Sequence, residues 1–128
     1  MINTVLLGRL NVINKTILEF LSDDENIQIQ HWPVESLEKY RKSVLPGSID
    51  VLIVDLKSYT QNPVTLIKYL KDFTIFKSII AIHTLSSWRL AKLILDAGAN
   101  GYLTQDTNDS EIIEAIISTN QGESFVRI

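Results

Sequence analysis

Asp55 closes the apolar run Val51-Leu52-Ile53-Val54, and other polar groups stand in similar places: Arg9 follows "TVLLG", His83 and Thr84 follow "IIAI", and Gln105 follows "GYLT". A carboxylate, a guanidinium, an imidazole and an amide at the ends of apolar runs suit ion pairing or anion binding. Arg9 could form a charge-assisted, bidentate contact with Asp55 as a permanent cation. His83 could titrate near its ordinary pKa of about 6.5 or contact a phosphate; a hydrogen-bonded structural histidine at a strand end is the preferred reading. Arg9, His83 and Gln105 together could also greet a small anion.

Other chemistries lack their residues. The chain has no cysteine, so disulfides, thiolate metal sites and cysteine nucleophiles are excluded, in keeping with a reducing cytoplasm. His31 precedes Trp32 and Pro33 with no acidic cluster nearby, and no metal or cofactor is assigned. There is no G-x-G-x-x-G turn, no G-x-x-x-x-G-K-[ST] loop and no G-x-S-x-G elbow, which argues against an enzyme.

The elements that must position these residues alternate in type. Strand-like runs lie at Thr4 to Gly8, Ile27 to His31, Val51 to Asp55, Ser78 to His83 and Gly101 to Leu103. The cores of the third and fourth are continuously apolar, as central strands covered on both faces should be. Helical periods fall at Val12 to Ser22, Glu35 to Ser43, Val64 to Phe73, Ser86 to Ala97 and Ser110 to Asn120. Ser86, Pro63, and Asn108 or Asp109 suit helix starts, while Gly98 and Gly122 suit left-handed caps after helix ends. Five βα units predict an α/β fold, a doubly wound parallel sheet of five strands in the flavodoxin-like order 2-1-3-4-5 with helices on both faces. That order brings Arg9, Asp55, His83, Thr84 and Gln105 to one sheet edge, where such sheets bind ligands.

With 128 residues, 45% of them hydrophobic, and a formal net charge of −3 without blocks of like charge, the chain reads as one domain over residues 1–128. No basic stripe suggests nucleic-acid contact, and no apolar stretch suggests a membrane span; a cytoplasmic domain is expected.

Two segments carry a resemblance. "IDVLIVDL" around Asp55 and "LILDAGANGYLTQD" through Gly98, Ala99, Gly101 and Tyr102 resemble the receiver domains of bacterial response regulators of the NarL/LuxR type, and the likeness runs the whole chain. It implies that Asp55 stands where the family carries its phospho-accepting aspartate and Tyr102 where it carries a switching aromatic. It also implies a degenerate site. Arg9 and Leu10 replace the acidic pair that helps hold magnesium, His83 replaces the hydroxyl residue with Thr84 one place later, and Gln105 replaces the lysine. Magnesium relies on carboxylates and water, so Mg-dependent phosphotransfer to Asp55 is not expected. A regulatory interaction module is expected instead, with small-anion sensing or residual phosphorylation of Asp55 as alternatives. After Asp55, "KSYTQNP" places Lys57 and Tyr59 where they could change access to the pocket.

The resemblance points to association through the fourth and fifth helices or through the first and fifth. Trp88, Leu90, Ile94, Ile113 and Ile117 are the interface candidates, Trp88 foremost, for a homodimer or a docked DNA-binding output domain. "GESFVRI" resembles the end of a receiver, so the expected context is either the N-terminal half of a transcriptional regulator or a free-standing adaptor.

Overall fold

The computed structural model describes all 128 residues. Its strands are β1 (Ile2–Leu7), β2 (Ile27–Trp32), β3 (Ile49–Asp55), β4 (Phe76–His83), β5 (Gly101–Thr104) and β6 (Phe125–Arg127). Its helices are α1 (Val12–Ser22), α2 (Leu37–Ser43), α3 (Pro63–Lys71), α4 (Trp88–Asp96) and α5 (Asp109–Asn120), with single 3-10 turns at Val34–Ser36 and Leu56–Ser58. One parallel sheet runs β2-β1-β3-β4-β5-β6. The expected order is present, and a sixth strand extends it. Three residues, two of them half-buried and Arg127 exposed, leave too short a period to announce a strand, and β5 supplies the pairing that makes one.

Strand parity divides the core. Leu7, Leu52, Val54, Ile79, Ala81 and Tyr102 pack with residues of α2, α3 and α4. Leu6, Val51, Ile53, Ile80, Ile82 and Leu103 pack with α1 and α5. Period-two alternation on a sheet covered on both sides produces this split, and explains why Val51–Val54 of β3 and Ile79–Ile82 of β4 are continuously apolar. Asp55 shares the parity of Val51 and Ile53 and lies on the α1 side, whereas His83 shares that of Ile79 and Ala81 and lies on the α4 side.

Local signals set the helix ends. Asn11, Asn62, Ser87 and Asn108 accept backbone N–H bonds as N-caps, and Pro63 opens α3. The cap of α4 is therefore Ser87 rather than Ser86, and that helix starts at Trp88. Gly98, at φ +126°, ends α4 in a conformation that side chains disfavour. Trp32 is 1% exposed and stacks on Tyr40 with ring centroids 4.2 Å apart, closing the sheet's β2 end.

Leu52→Ala, in the middle of β3, should lower unfolding free energy by about 2–5 kcal/mol in denaturant titrations. Leu93→Ala, on the exposed face of α4, should change it by no more than about 0.5 kcal/mol.

Candidate site around Asp55

Asp55 ends β3 with 1% of its surface exposed. Its Oδ2 accepts from Asn14 Nδ2 at 3.0 Å and from Ser58 Oγ at 3.0 Å, and its Oδ1 accepts from the Lys57 N–H at 3.1 Å. All three donors are neutral. Asn14 lies on the stripe Asn14, Ile17, Leu21 that α1 buries, so the helix itself carries an amide to the carboxylate. The same Asn14 Nδ2 donates to the Arg9 carbonyl at 2.7 Å, and the Arg9 N–H donates to Ser58 Oγ at 2.8 Å. The β1–α1 loop, α1 and the turn after β3 are thus tied together around one carboxylate.

Gly8 makes room for that network. A Cβ there would stand 2.9 Å from Asp55 Cβ, 3.1 Å from Ser58 Oγ and 3.2 Å from Asn14 Nδ2. His31 Nε2 donates to the Gly8 carbonyl at 2.7 Å, anchoring the loop from the β2 side. Of the residues around Asp55, Asn14 and Ser58 escaped sequence reasoning. A polar residue on an otherwise apolar helical stripe was the available signal for Asn14; Ser58 in a turn gave none.

The expected Arg9 to Asp55 pair does not form. Arg9 is exposed, makes no ion pair, and engages the network through its backbone alone. The chain turns outward after Gly8, and neutral donors already occupy the carboxylate, so bringing in a guanidinium would require desolvating it as well. Nor do Arg9, His83 and Gln105 converge on an anion. Arg9 lines a cleft with Leu10, His31 and Pro33, while Gln105 lines another with Thr84, Ser86 and Thr104.

His83 is tied to its own loop. Its Nδ1 accepts from the Thr84 N–H at 2.7 Å and the Leu85 N–H at 3.3 Å, which requires that nitrogen to be unprotonated. Burial pushes its pKa below the ordinary 6.5; Asp55 opposes that shift and Lys57 adds to it. The carbonyl of Leu85 in turn accepts from the Tyr102 hydroxyl at 2.6 Å, and the Tyr102 ring is fully buried. His83 and Tyr102 are therefore linked through residues 84 and 85. Thr84 is exposed, and Tyr59 partly buried, its hydroxyl without a partner and pushed up to about 12, chiefly by burial.

Among the interface candidates, Trp88 is 69% and Ile117 39% exposed. Leu90 and Ile113 are only partly buried, each packing on the core of its own face of the sheet. Ile94 is completely buried in the α4-side core and cannot contact a partner. The apolar excess of α4 is accommodated by Trp88 and Leu93 outside and Ile94 inside. A second exposed apolar group, Leu10, Val12 and Ile13, lies at the start of α1, outside the candidates.

The fold is that of solved receiver domains. The non-phosphorylated receiver domain of the stress response regulator RcsB from Escherichia coli superposes with TM-score 0.83 at 19% identity, over 99% of this chain and 98% of that one. The receiver domain of the response regulator NarL from Mycobacterium tuberculosis gives 0.78 at 15%, over 95% and 98%. ChrA, the response regulator of a heme-sensing two-component system, gives 0.71 at 19%; the match covers 97% of this chain and 59% of ChrA. No family model and no curated protein matches the sequence.

The chain has the receiver fold. Within it, Asp55 occupies the C-terminal end of the central strand β3, beside the strand-order reversal between β1 and β3 where doubly wound sheets bind ligands. The residues that a receiver's magnesium would need do not fit the ion. Arg9 and Leu10 point no carboxylate to the site, both Asp55 oxygens are engaged by protein donors, and no group of three His, Asp or Glu side chains converges anywhere in the chain.

Asn14→Leu should remove one of the two donors on Asp55 Oδ2 and one of the two on the Arg9 carbonyl, leaving Ser58 Oγ and the Asn11 N–H as their remaining partners, and cost about 1–3 kcal/mol in denaturant unfolding. The folded-state pKa of His83 lies below its unfolded value, so at high pH the group contributes nothing to the pH dependence. As pH falls through 6.5 toward the folded value, the unfolded chain takes up the proton first and stability drops. That part of the stability–pH slope should vanish in His83→Gln.

Proposed function

We propose that this chain is an atypical receiver, a regulatory protein-interaction module that works without Mg-dependent phosphorylation of Asp55. The carrying observation is the neutral cage on that carboxylate: Asn14, Ser58 and the Lys57 N–H satisfy it inside the fold. Transfer of a phosphoryl group to Asp55 would have to displace protein hydrogen bonds in a buried site, those of Asn14 and Ser58 at Oδ2 or that of the Lys57 N–H at Oδ1. It would also place new negative charge where Gln105 stands instead of a receiver's lysine and no further carboxylate is present to hold a metal. The chain is, on this reading, no enzyme but a cytoplasmic domain.

Its output is association. Trp88, Leu93 and Ile117 offer apolar contact on α4 and α5, and Leu10, Val12 and Ile13 offer it at α1. Either face suits a homodimer, and the first suits a docked output domain. The likeness to regulators longer than this chain supports placing it as the N-terminal half of a transcriptional regulator, with DNA contact made by another domain.

Titration with beryllofluoride and magnesium, followed by amide NMR, should give no saturable shifts at Asp55, Lys57 or Tyr102 and no change in sedimentation. Saturable shifts accompanied by altered association would overturn the proposal. Trp88→Ala should weaken association by about 1 kcal/mol or more while leaving the unfolding midpoint nearly unchanged.

A further inference from the structure

The segment after α5 occupies a surface that the rest of the fold leaves open. Without β6, β5 would be an edge strand presenting unpaired backbone groups on Gly101, Tyr102 and Leu103. Phe125, Val126 and Arg127 pair with these three, and the Phe125 N–H donates to the Asn100 carbonyl at 3.0 Å. The fit is specific. A Cβ at Gly101 would lie 3.2 Å from the Phe125 carbonyl oxygen, so the absence of a side chain lets the two backbones approach. At the far end of the strand the Arg127 guanidinium pairs with Glu111 of α5, whose Oε2 is buried and has no other partner.

The attachment is nevertheless slight. Three residues pair, Phe125, Val126 and Ile128 are only partly buried, and the connection from α5 passes through Gly122 at φ +88°, with nothing packed around it. A three-residue edge strand with so few buried contacts opens at a small fraction of the global unfolding free energy. Once open, it leaves behind a β5 edge and an unpartnered Glu111 carboxylate that together select an incoming strand. One segment of the chain matches both features: Phe125–Ile128 itself.

We propose that the β5 edge is a strand-exchange surface, taken in a dimer by residues Phe125–Ile128 of a second copy. The chain turns at Gly122, the segment leaves its own β5, and each copy completes the other's sheet with the contacts that it makes on itself in the closed form. Because those contacts are the same in both forms, the hinge and the new contacts between copies set the balance. Trp88, Leu93 and Ile117, exposed on the two helices that flank β5, are available to supply the latter.

Charge reversal separates exchange from simple closure. In Glu111→Arg the carboxylate side of the pair becomes a cation, and in Arg127→Glu the guanidinium side becomes an anion, so each variant alone sets like charges against each other within one copy. Mixed, they can restore both attractive pairs only by exchanging segments. Sedimentation velocity of the equimolar mixture should show a dimer fraction several-fold above that of either variant alone. Amide protection at Gly101–Leu103 should return at the same time, while the variant carrying both substitutions should behave as the unaltered protein does. A mixture that sediments and exchanges as the sum of its components overturns the proposal.

A second measurement needs no substitution. In dimers assembled from isotope-labelled and unlabelled protein, NOEs between Val126 of one copy and Tyr102 of the other are expected; contacts confined to single copies would equally overturn it.

Discussion

Burial of β3 on both faces is the constraint from which the site follows. Val51 and Ile53 must face α1 and α5, and Leu52 and Val54 must face α2, α3 and α4, so the next residue, Asp55, is delivered to the α1 side at the sheet's C-terminal end. There a charged group is out of water and must be satisfied by the protein. Asn14 and Ser58 do this with neutral donors, and Gly8 keeps the intervening volume empty enough for them to reach. A buried carboxylate held by dipoles gains hydrogen bonds without recruiting a second charge, whose own desolvation would offset much of the attraction.

The same parity rule separates two features that sequence reasoning placed in one pocket. His83 and Tyr102 belong to the α4 side and communicate through the residue 84–85 backbone, whereas the Asp55 network belongs to the α1 side. A change in the imidazole's protonation therefore acts first on the loop that holds the Tyr102 hydroxyl. Events at the carboxylate act first on the β1–α1 loop.

Most of the fold was legible because its signals are periodic. The bounds of α1 agree residue for residue, and all five expected strands fall within two residues of their expected ends; β1 starts two residues earlier than Thr4, β3 two earlier than Val51 and β4 two earlier than Ser78. The sixth strand was not legible, since Phe125–Arg127 becomes a strand only through pairing. At the site, Asp55 was legible from its place after an apolar run and Tyr102 from the motif around it. The direction of Arg9 was not: convergence of strand ends fixes where a backbone arrives, while the turn after Gly8 decides which way the side chain leaves. Ile94 and Trp88 differ for a similar reason, as a rich apolar helix shows that some residues must be exposed without showing which until its rotation is known.

The two tryptophans divide the molecule optically. Trp32, stacked on Tyr40 within the core, resides in a dry and rigid environment, and Trp88 stands in solvent at the first turn of α4. Their emission spectra and quencher accessibilities must therefore differ. The blue, shielded component reports the integrity of the core, and the red, quenchable one reports what settles on α4, so the native chain carries separate optical channels for folding and for docking.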